Sequence, residues 1–89
     1  MRTITLELAH IETTAALHIY LQYMLNLPPY YGRNLDALHD VLGEIDRPTR
    51  LIVRAKCATG EVAALLPRLW RVLSDAAEEN GCLCVERAE

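Results

Sequence analysis

The feature that most constrains the fold of this sequence is a turn-rich loop followed directly by a helix, in residues 27–42, LPPYYGRNLDALHDVL. Two prolines and a glycine interrupt regular structure in the loop, and two tyrosines stand between them. Asn34 is a favourable N-cap, because its side-chain oxygen can accept a hydrogen bond from a free backbone N–H of the first helical turn. A helix is therefore predicted to begin directly after Asn34.

The predicted helix has one apolar face and one acidic face. The apolar face, at helical spacing, consists of Leu35, Leu38, Val41 and Leu42. The opposite face has Asp36, His39, Asp40 and Gly43. Two carboxylates one helical turn apart repel each other by about 0.2–0.5 kcal/mol. Folding therefore does not require the pair formed by Asp36 and Asp40.

A solvated helix face would explain these acids without any function, but two observations favour a binding surface. Between Asn34 and Asp46 the sequence has no Lys or Arg, and its acidic residues there are Asp36, Asp40, Glu44 and Asp46. Tyr30 and Tyr31 stand beside them on a loop stiffened by proline. Rigid aromatic side chains next to a small anionic patch suit an interface with a cationic partner.

The motif also resembles a known family. The residues Leu27-Pro28-x-Tyr30-Tyr31-Gly32-x-Asn34-Leu35-Asp36-Ala37-Leu38-x-Asp40-x-Leu42 are similar to the signature of the barstar family, intracellular inhibitors of secreted guanyl-specific ribonucleases such as barnase. A looser likeness extends over the whole chain. The resemblance implies an inhibitor without a cofactor, whose partner is a cognate basic ribonuclease or a ribonuclease-like toxin. Its carboxylates would lie where RNA phosphates bind.

The resemblance also implies roles for individual residues. Asp40 would mimic a phosphate in the active site of the ribonuclease, and Asp36 would be a second carboxylate against its basic groups. Tyr30 would pack against a catalytic histidine, while Gly32 and Asn34 would shape the loop and contact the partner. The other residues expected in the partner-binding surface are Tyr31, His39, Glu44 and Asp75.

The sequence departs from the family at several of these positions. His39 and Ile45 stand where the best-known member has tryptophans, and Arg33 replaces an acidic residue of the loop. Asp75 is chosen over Ala76 as the counterpart of a glutamate on the last helix. Because residues at the rim of an interface set specificity, these changes affect which partner is bound.

The rest of the chain predicts alternating strands and helices. The first expected elements are a strand at 3–8, a helix capped by Thr13 or Thr14 and ended by Pro28, and the motif helix. A strand at 50–54, buried on both faces, follows the motif helix. The chain is then expected to form a helical segment from 59, which Pro67 breaks or restarts, and a last strand at 83–85. His18 is expected at the surface, partly covered. Helical crossovers between strands favour parallel neighbours. We predict one α/β domain over residues 1–89, a small three-stranded parallel sheet packed with three to four helices, as in the barstar family.

Charge and composition exclude several classes of function. The formal net charge of -3 opposes nucleic-acid binding, and no apolar run approaches the roughly 18 residues of a membrane span. The first residues lack the apolar core of a signal peptide. Three cysteines, an odd number, are expected to be reduced and mostly buried: Cys57, Cys82 and Cys84. These features predict a cytoplasmic protein that binds neither nucleic acid nor membrane.

The residues that an enzyme would need are scarce. Ser74 is the one serine and has no nucleophile motif around it, and nothing places a histidine beside Cys57. Asp36, His39 and Asp40 could converge on a metal ion, but three ligands from one helix make a weak site. The first hypothesis is therefore a ribonuclease inhibitor. The alternatives are a barstar-like interaction domain for another basic protein or toxin, and a small metal-dependent enzyme.

Overall fold

The structure, a computed structural model, describes residues 1–88. Its elements are β1 (Arg2–Glu7), α1 (Thr14–Met24), α2 (Leu35–Gly43), β2 (Thr49–Arg54), α3 (Gly60–Glu79) and β3 (Leu83–Arg87). Within residues 1–88 the strands form one three-stranded parallel sheet in the order β1-β2-β3, and the helices number three. The predicted α/β fold with a small parallel sheet is confirmed.

The sheet is covered on one face. The buried side chains of its covered face include Leu6, Leu51, Val53 and Leu83, and they form one core with buried side chains from all three helices. On the other face of β2, Arg50 and Ile52 are half-buried and Arg54 is exposed. The prediction that this strand is buried on both faces is therefore wrong. Its open face reaches water because every crossover helix packs on the same side of the sheet.

α1 begins as predicted but ends earlier than predicted. The Thr13 hydroxyl caps it by accepting a hydrogen bond from the Ala16 backbone N–H at 3.1 Å. The helix ends at Met24, before the chain reaches Pro28. Asn26 has a left-handed backbone with φ of 51°, and the Leu27 N–H returns to the Gln22 carbonyl at 2.9 Å. This left-handed residue, and not the proline, ends the helix.

α3 continues through Pro67 without a break, so the predicted interruption at this proline is wrong. Pro67 lacks the N–H that would bond one turn back, and its side chain is exposed. The buried residues of α3 lie on both sides of the proline: Val62, Leu69, Leu73 and Ala76. Burial of this continuous stripe against the sheet outweighs the loss of one helical hydrogen bond, because tertiary packing supplies most helical stability.

The cysteines are free thiols, but they are less buried than predicted. Cys57 and Cys84 are exposed, and Cys82 is half-buried. Cys84 lies on the open face of β3, and Cys57 lies in the turn between β2 and α3. The prediction of mostly buried thiols is wrong, because no helix covers the face of β3 that bears Cys84 and Cys57 lies in a surface turn.

Candidate functional site

Asn34 begins α2 in the predicted way. Its side-chain oxygen accepts a hydrogen bond from the Ala37 N–H at 2.8 Å, and its side-chain amide donates to the Gly32 carbonyl at 3.3 Å. A Cβ atom at Gly32 would lie 3.2 Å from the Cβ of Ala37, closer than most side-chain contacts. Gly32 and Asn34 therefore fix the join between loop and helix, and with it the direction of the helix.

The two tyrosines of the loop point in opposite directions. Tyr30 is 72% exposed, whereas Tyr31 is 5% exposed and belongs to the core. The Tyr31 hydroxyl lies 2.5 Å from Nδ1 of His18 on α1. Desolvation raises the pKa of Tyr31 to about 12 and lowers the pKa of His18 below 6.5. Tyr31 thus anchors the loop from inside, and Tyr30 is the tyrosine available to a partner.

His18 was expected at the surface, and that prediction is wrong. Its side chain is 2% exposed, because the loop folds over α1 and brings Tyr31 against the imidazole ring. Four residues later on the same side of α1, the Gln22 amide donates to the Pro28 carbonyl at 3.1 Å. The Gln22 oxygen in turn accepts two hydrogen bonds from Arg33. α1 therefore holds the loop at its middle and at both ends.

Carboxylates from two helices surround one groove. Asp36 and Asp40 on α2 line it together with Asp75 on α3, and the groove measures about 460 Å³. All three carboxylates are exposed. Ala76, the alternative to Asp75, is buried and cannot contact a partner. Arg71 lies in the same groove.

His39 links the two helices at this groove. Its Nε2 lies 2.6 Å from a carboxylate oxygen of Glu79 on α3, and its Nδ1 lies 4.0 Å from Asp40. The hydrogen bond to Glu79 raises the pKa of His39, and the charges of Asp40 and Asp75 add to this effect. Glu79 was missed from the sequence, although its position one helical turn after Asp75 was a signal. We call Asp36, Asp40, Glu44, Asp75 and Glu79 the acidic surface.

Glu44 joins the loop to the far end of α2. It is the C-cap residue of this helix, and its carboxylate accepts a hydrogen bond from the Tyr30 hydroxyl at 3.3 Å. The negative charge of Glu44 raises the pKa of Tyr30. The exposed tyrosine therefore lies alongside α2, so the loop and the acidic surface form one continuous region.

The charge of the chain is concentrated in this region. The acidic surface with Arg71 contains five of the 12 acidic residues and one of the nine basic residues. The other seven acidic and eight basic residues nearly balance. Within residues 1–88, neither Asp36 nor Asp40 forms a salt bridge with Lys or Arg. These two carboxylates keep their charge available for a cationic partner.

Other kinds of site have little support in the described part of the chain. Residues 1–88 contain no group of three or more His, Cys, Asp or Glu side chains arranged to hold a metal ion. None of the helices in this range is long and apolar enough to cross a membrane.

Residues 1–86 match the family described as Barstar (barnase inhibitor). The chain belongs to the barstar family. Barstar-family proteins are inhibitors and not enzymes, which agrees with the non-enzymatic function expected from the sequence. A relative from Bacillus subtilis (strain 168), named "Putative ribonuclease inhibitor YrdF", is 44% identical over 55 residues. This match covers 61% of the chain and 60% of the relative, so the chain spans less than two thirds of the relative's length.

Proposed function

We propose that this barstar-family protein inhibits a basic ribonuclease of the barnase type by placing its acidic surface in the active-site cleft. The observation behind the proposal is the pair of exposed carboxylates on α2, Asp36 and Asp40, which form no salt bridge with Lys or Arg within residues 1–88 and lie opposite Asp75 across one groove. A cleft that binds RNA phosphates presents cationic side chains, and carboxylates can pair with them as phosphates do. The inhibitor then blocks the substrate both sterically and electrostatically.

Each residue has a distinct part in this proposal. Asp40 enters the cleft as the phosphate mimic, and Asp36 pairs with a second basic group of the ribonuclease. Tyr30, which is largely exposed, packs against the catalytic histidine of the ribonuclease. Glu44 and Asp75 extend the negative field at the rim. Tyr31, Gly32 and Asn34 support the surface from within the loop.

The loop is ordered before any partner arrives. Its backbone closes a turn through the hydrogen bond from the Tyr31 N–H to the Pro28 carbonyl at 3.0 Å, and α1 holds it through His18 and Gln22. An interface that is already ordered loses less conformational entropy on binding. This preorganisation supports a tight complex from a small helix and a short loop.

We also propose a cytoplasmic location, where such an inhibitor would protect the cell that makes the ribonuclease or receives a ribonuclease-like toxin. Cys57 and Cys84 are exposed free thiols, which suit a reducing compartment. The rim differs from the family pattern at Arg33, which is exposed and bonded to Gln22. A cation in place of an acid changes the charge at the rim of the interface, and rim residues set specificity. The second candidate is therefore a partner other than barnase itself, such as another basic protein or toxin.

The test uses barnase as the probe and RNA cleavage as the readout. We expect the protein to abolish cleavage at close to one equivalent, and Asp40→Asn to inhibit far less. Glu12→Gln is the matched control, because it removes the same charge from an exposed residue outside the acidic surface. Equal inhibition by both variants would refute the role of α2. Full barnase activity in a large excess of inhibitor would reject barnase and favour the second candidate.

A further inference from the structure

The last turn of α2 is closed by short-range backbone bonds. The Glu44 N–H donates to the Val41 carbonyl at 3.1 Å, and the Ile45 N–H donates to the Leu42 carbonyl at 3.3 Å. Hydrogen bonds over three residues have poorer geometry than those over four. A left-handed residue often completes the end of a helix, but within residues 1–88 the positive φ angles lie outside this turn, at Asn26, Arg33 and Gly60. The end of α2 therefore needs support from another element.

A side chain at the end of α3 supplies this support. Asn80 is the C-cap residue of α3 and is half-buried. Its side-chain amide donates to the Leu42 carbonyl at 2.9 Å and to the Ile45 carbonyl at 3.0 Å. Its side-chain oxygen accepts a hydrogen bond from the Cys82 N–H at 3.0 Å, which fixes the orientation of the amide. Both amide N–H donors of this side chain, and its oxygen, are therefore used within the fold.

The two carbonyl groups lie on either side of Glu44. Because Glu44 stands between Leu42 and Ile45 in the chain, bonds to both carbonyls fix the backbone that carries its carboxylate. That carboxylate accepts a hydrogen bond from the Tyr30 hydroxyl at 3.3 Å. A line of contacts thus runs from Asn80, through the last turn of α2, to the exposed tyrosine of the loop.

The first turn of α2 is fixed separately. Asn34 caps it by accepting a hydrogen bond from the Ala37 N–H at 2.8 Å. The helix is therefore held by an asparagine at each end, one from the loop and one from α3. Asp36 lies in the first turn and Glu44 at the opposite end. Loss of the Asn80 side chain should disturb Glu44 and leave Asp36 in place.

We propose that Asn80 is a positioning residue for ribonuclease binding, which holds the last turn of α2, and with it Glu44 and Tyr30, in the arrangement that the partner binds. This inference rests on the proposed inhibitor function. Asn80 acts without contacting the ribonuclease, since its polar atoms are already bonded within the fold. A surface that is held in place before binding loses less conformational entropy when the complex forms.

The first test measures barnase binding by surface plasmon resonance. Asn80→Ala should raise the dissociation constant about three- to tenfold, within the range for residues that share one hydrogen-bond network. Val62→Ala is the control, because it truncates a fully buried residue at the opposite end of α3 and should bind as the parent protein does. Asn80→Asp should bind as weakly as Asn80→Ala although it adds a negative charge, because a carboxylate cannot donate to the two carbonyls. Parental binding by Asn80→Ala, or tighter binding by Asn80→Asp, overturns the proposal.

A second test separates positioning from a general structural role. In the Glu44→Ala background, Asn80→Ala should weaken binding much less than it does in the parent protein, because the link to Tyr30 is already broken. In the Asp36→Ala background its full effect should remain. Equal effects in the two backgrounds would contradict the proposal. If Asn80→Ala lacks the circular dichroism spectrum of the folded protein, Asn80→Ser, whose hydroxyl can donate one hydrogen bond, replaces it and should show the same difference.

A third measurement uses the free protein and needs no ribonuclease. The negative charge of Glu44 raises the pKa of Tyr30. Asn80→Ala should lower this pKa towards its value in Glu44→Gln, and an NMR titration of the Tyr30 ring follows the change. A pKa of Tyr30 that stays as in the parent protein would show that Glu44 keeps its position without Asn80, and would overturn the proposal. If the pKa falls while the parent protein fails to bind barnase, Asn80 still positions Glu44, and it is barnase that is rejected as the partner.

Discussion

The two faces of α2 differ in what they contribute to the protein. The inner face buries Leu38 and Leu42 completely and joins them to the core. The outer face exposes Asp36 and Asp40, which have no Lys or Arg partner within residues 1–88. A nine-residue helix thus separates stability from recognition. The comparison shows that Asp36 and Asp40 are available to bind a partner, because the stability of the fold depends on the inner face of the helix.

The largest effect is expected from the inner face. Leu38→Ala removes a fully buried side chain and should lower the free energy of unfolding by about 2–5 kcal/mol, through lost burial and the cavity left behind. Chemical denaturation measures this loss. A cost below about 1 kcal/mol would show that the core closes around the smaller side chain, and the separation of the two faces would then be less sharp.

The outer face should affect binding and not stability. Asp40→Ala should weaken barnase binding by about 2 kcal/mol or more, mainly through faster dissociation, because its loss leaves basic groups of the ribonuclease buried and unpaired. The free energy of unfolding of Asp40→Ala should differ from that of the parent protein by less than about 0.5 kcal/mol.

Glu44→Ala, nearer the rim, should mainly slow association at low salt. Surface plasmon resonance at two salt concentrations separates the effect on dissociation from the effect on association. If Asp40→Ala binds barnase as tightly as the parent protein does, the outer face of α2 is not the recognition surface.

The two histidines extend the comparison to pH. His18 is buried, and its pKa in the folded protein is lowered from 6.5 by desolvation. The unfolded chain therefore takes up a proton first, and stability should fall as the pH drops below 6.5 towards the lowered value. Thermal or urea unfolding from pH 7.5 to 5 follows this slope. His18→Gln should flatten it, whatever its effect on absolute stability; an unchanged slope would assign the acid sensitivity to other groups.

His39 should give the opposite sign. Its hydrogen bond to Glu79 raises its pKa above 6.5, so the stabilising bridge is complete below pH 6.5 and is lost as the pH rises through the raised value. Protonated His39 also cancels part of the acidic surface. Barnase binding should therefore tighten severalfold as the pH rises through this range, after correction for titration of barnase. His39→Gln should remove that part of the dependence, and a dependence equal to that of the parent protein would exclude His39 as its source.

The smallest effect is expected for the stability of Asp36→Ala. The change relieves the repulsion between Asp36 and Asp40, worth about 0.2–0.5 kcal/mol. It also removes an acid from the first turn of α2, where the helix dipole favours negative charge by about 0.3–1 kcal/mol. The two terms nearly cancel, so the free energy of unfolding should stay within about 0.5 kcal/mol of the parent. Destabilisation as large as that of Leu38→Ala would mean that the faces are assigned wrongly.

The sequence by itself determined the features that depend on neighbouring residues. The N-cap at Asn34, the two faces of α2 and the strands follow from local spacing and turn chemistry, and the helices between successive strands predicted that the strands are parallel. The motif in residues 27–42 also identified the barstar family, which the match over residues 1–86 confirms. These signals are short-range, because hydrogen bonding and periodicity within a helix or strand involve residues a few positions apart.

The tertiary structure decided what depends on contacts between distant residues. It determined that Tyr31 turns inward to His18, that α3 continues through Pro67, that the sheet is open on one face, and that His39 pairs with Glu79. The partners in the last contact are 40 positions apart in the chain. Whether a histidine or tyrosine is buried depends on which element covers it, and no local pattern specifies that element. Packing of the helices on one side of the sheet decided these features.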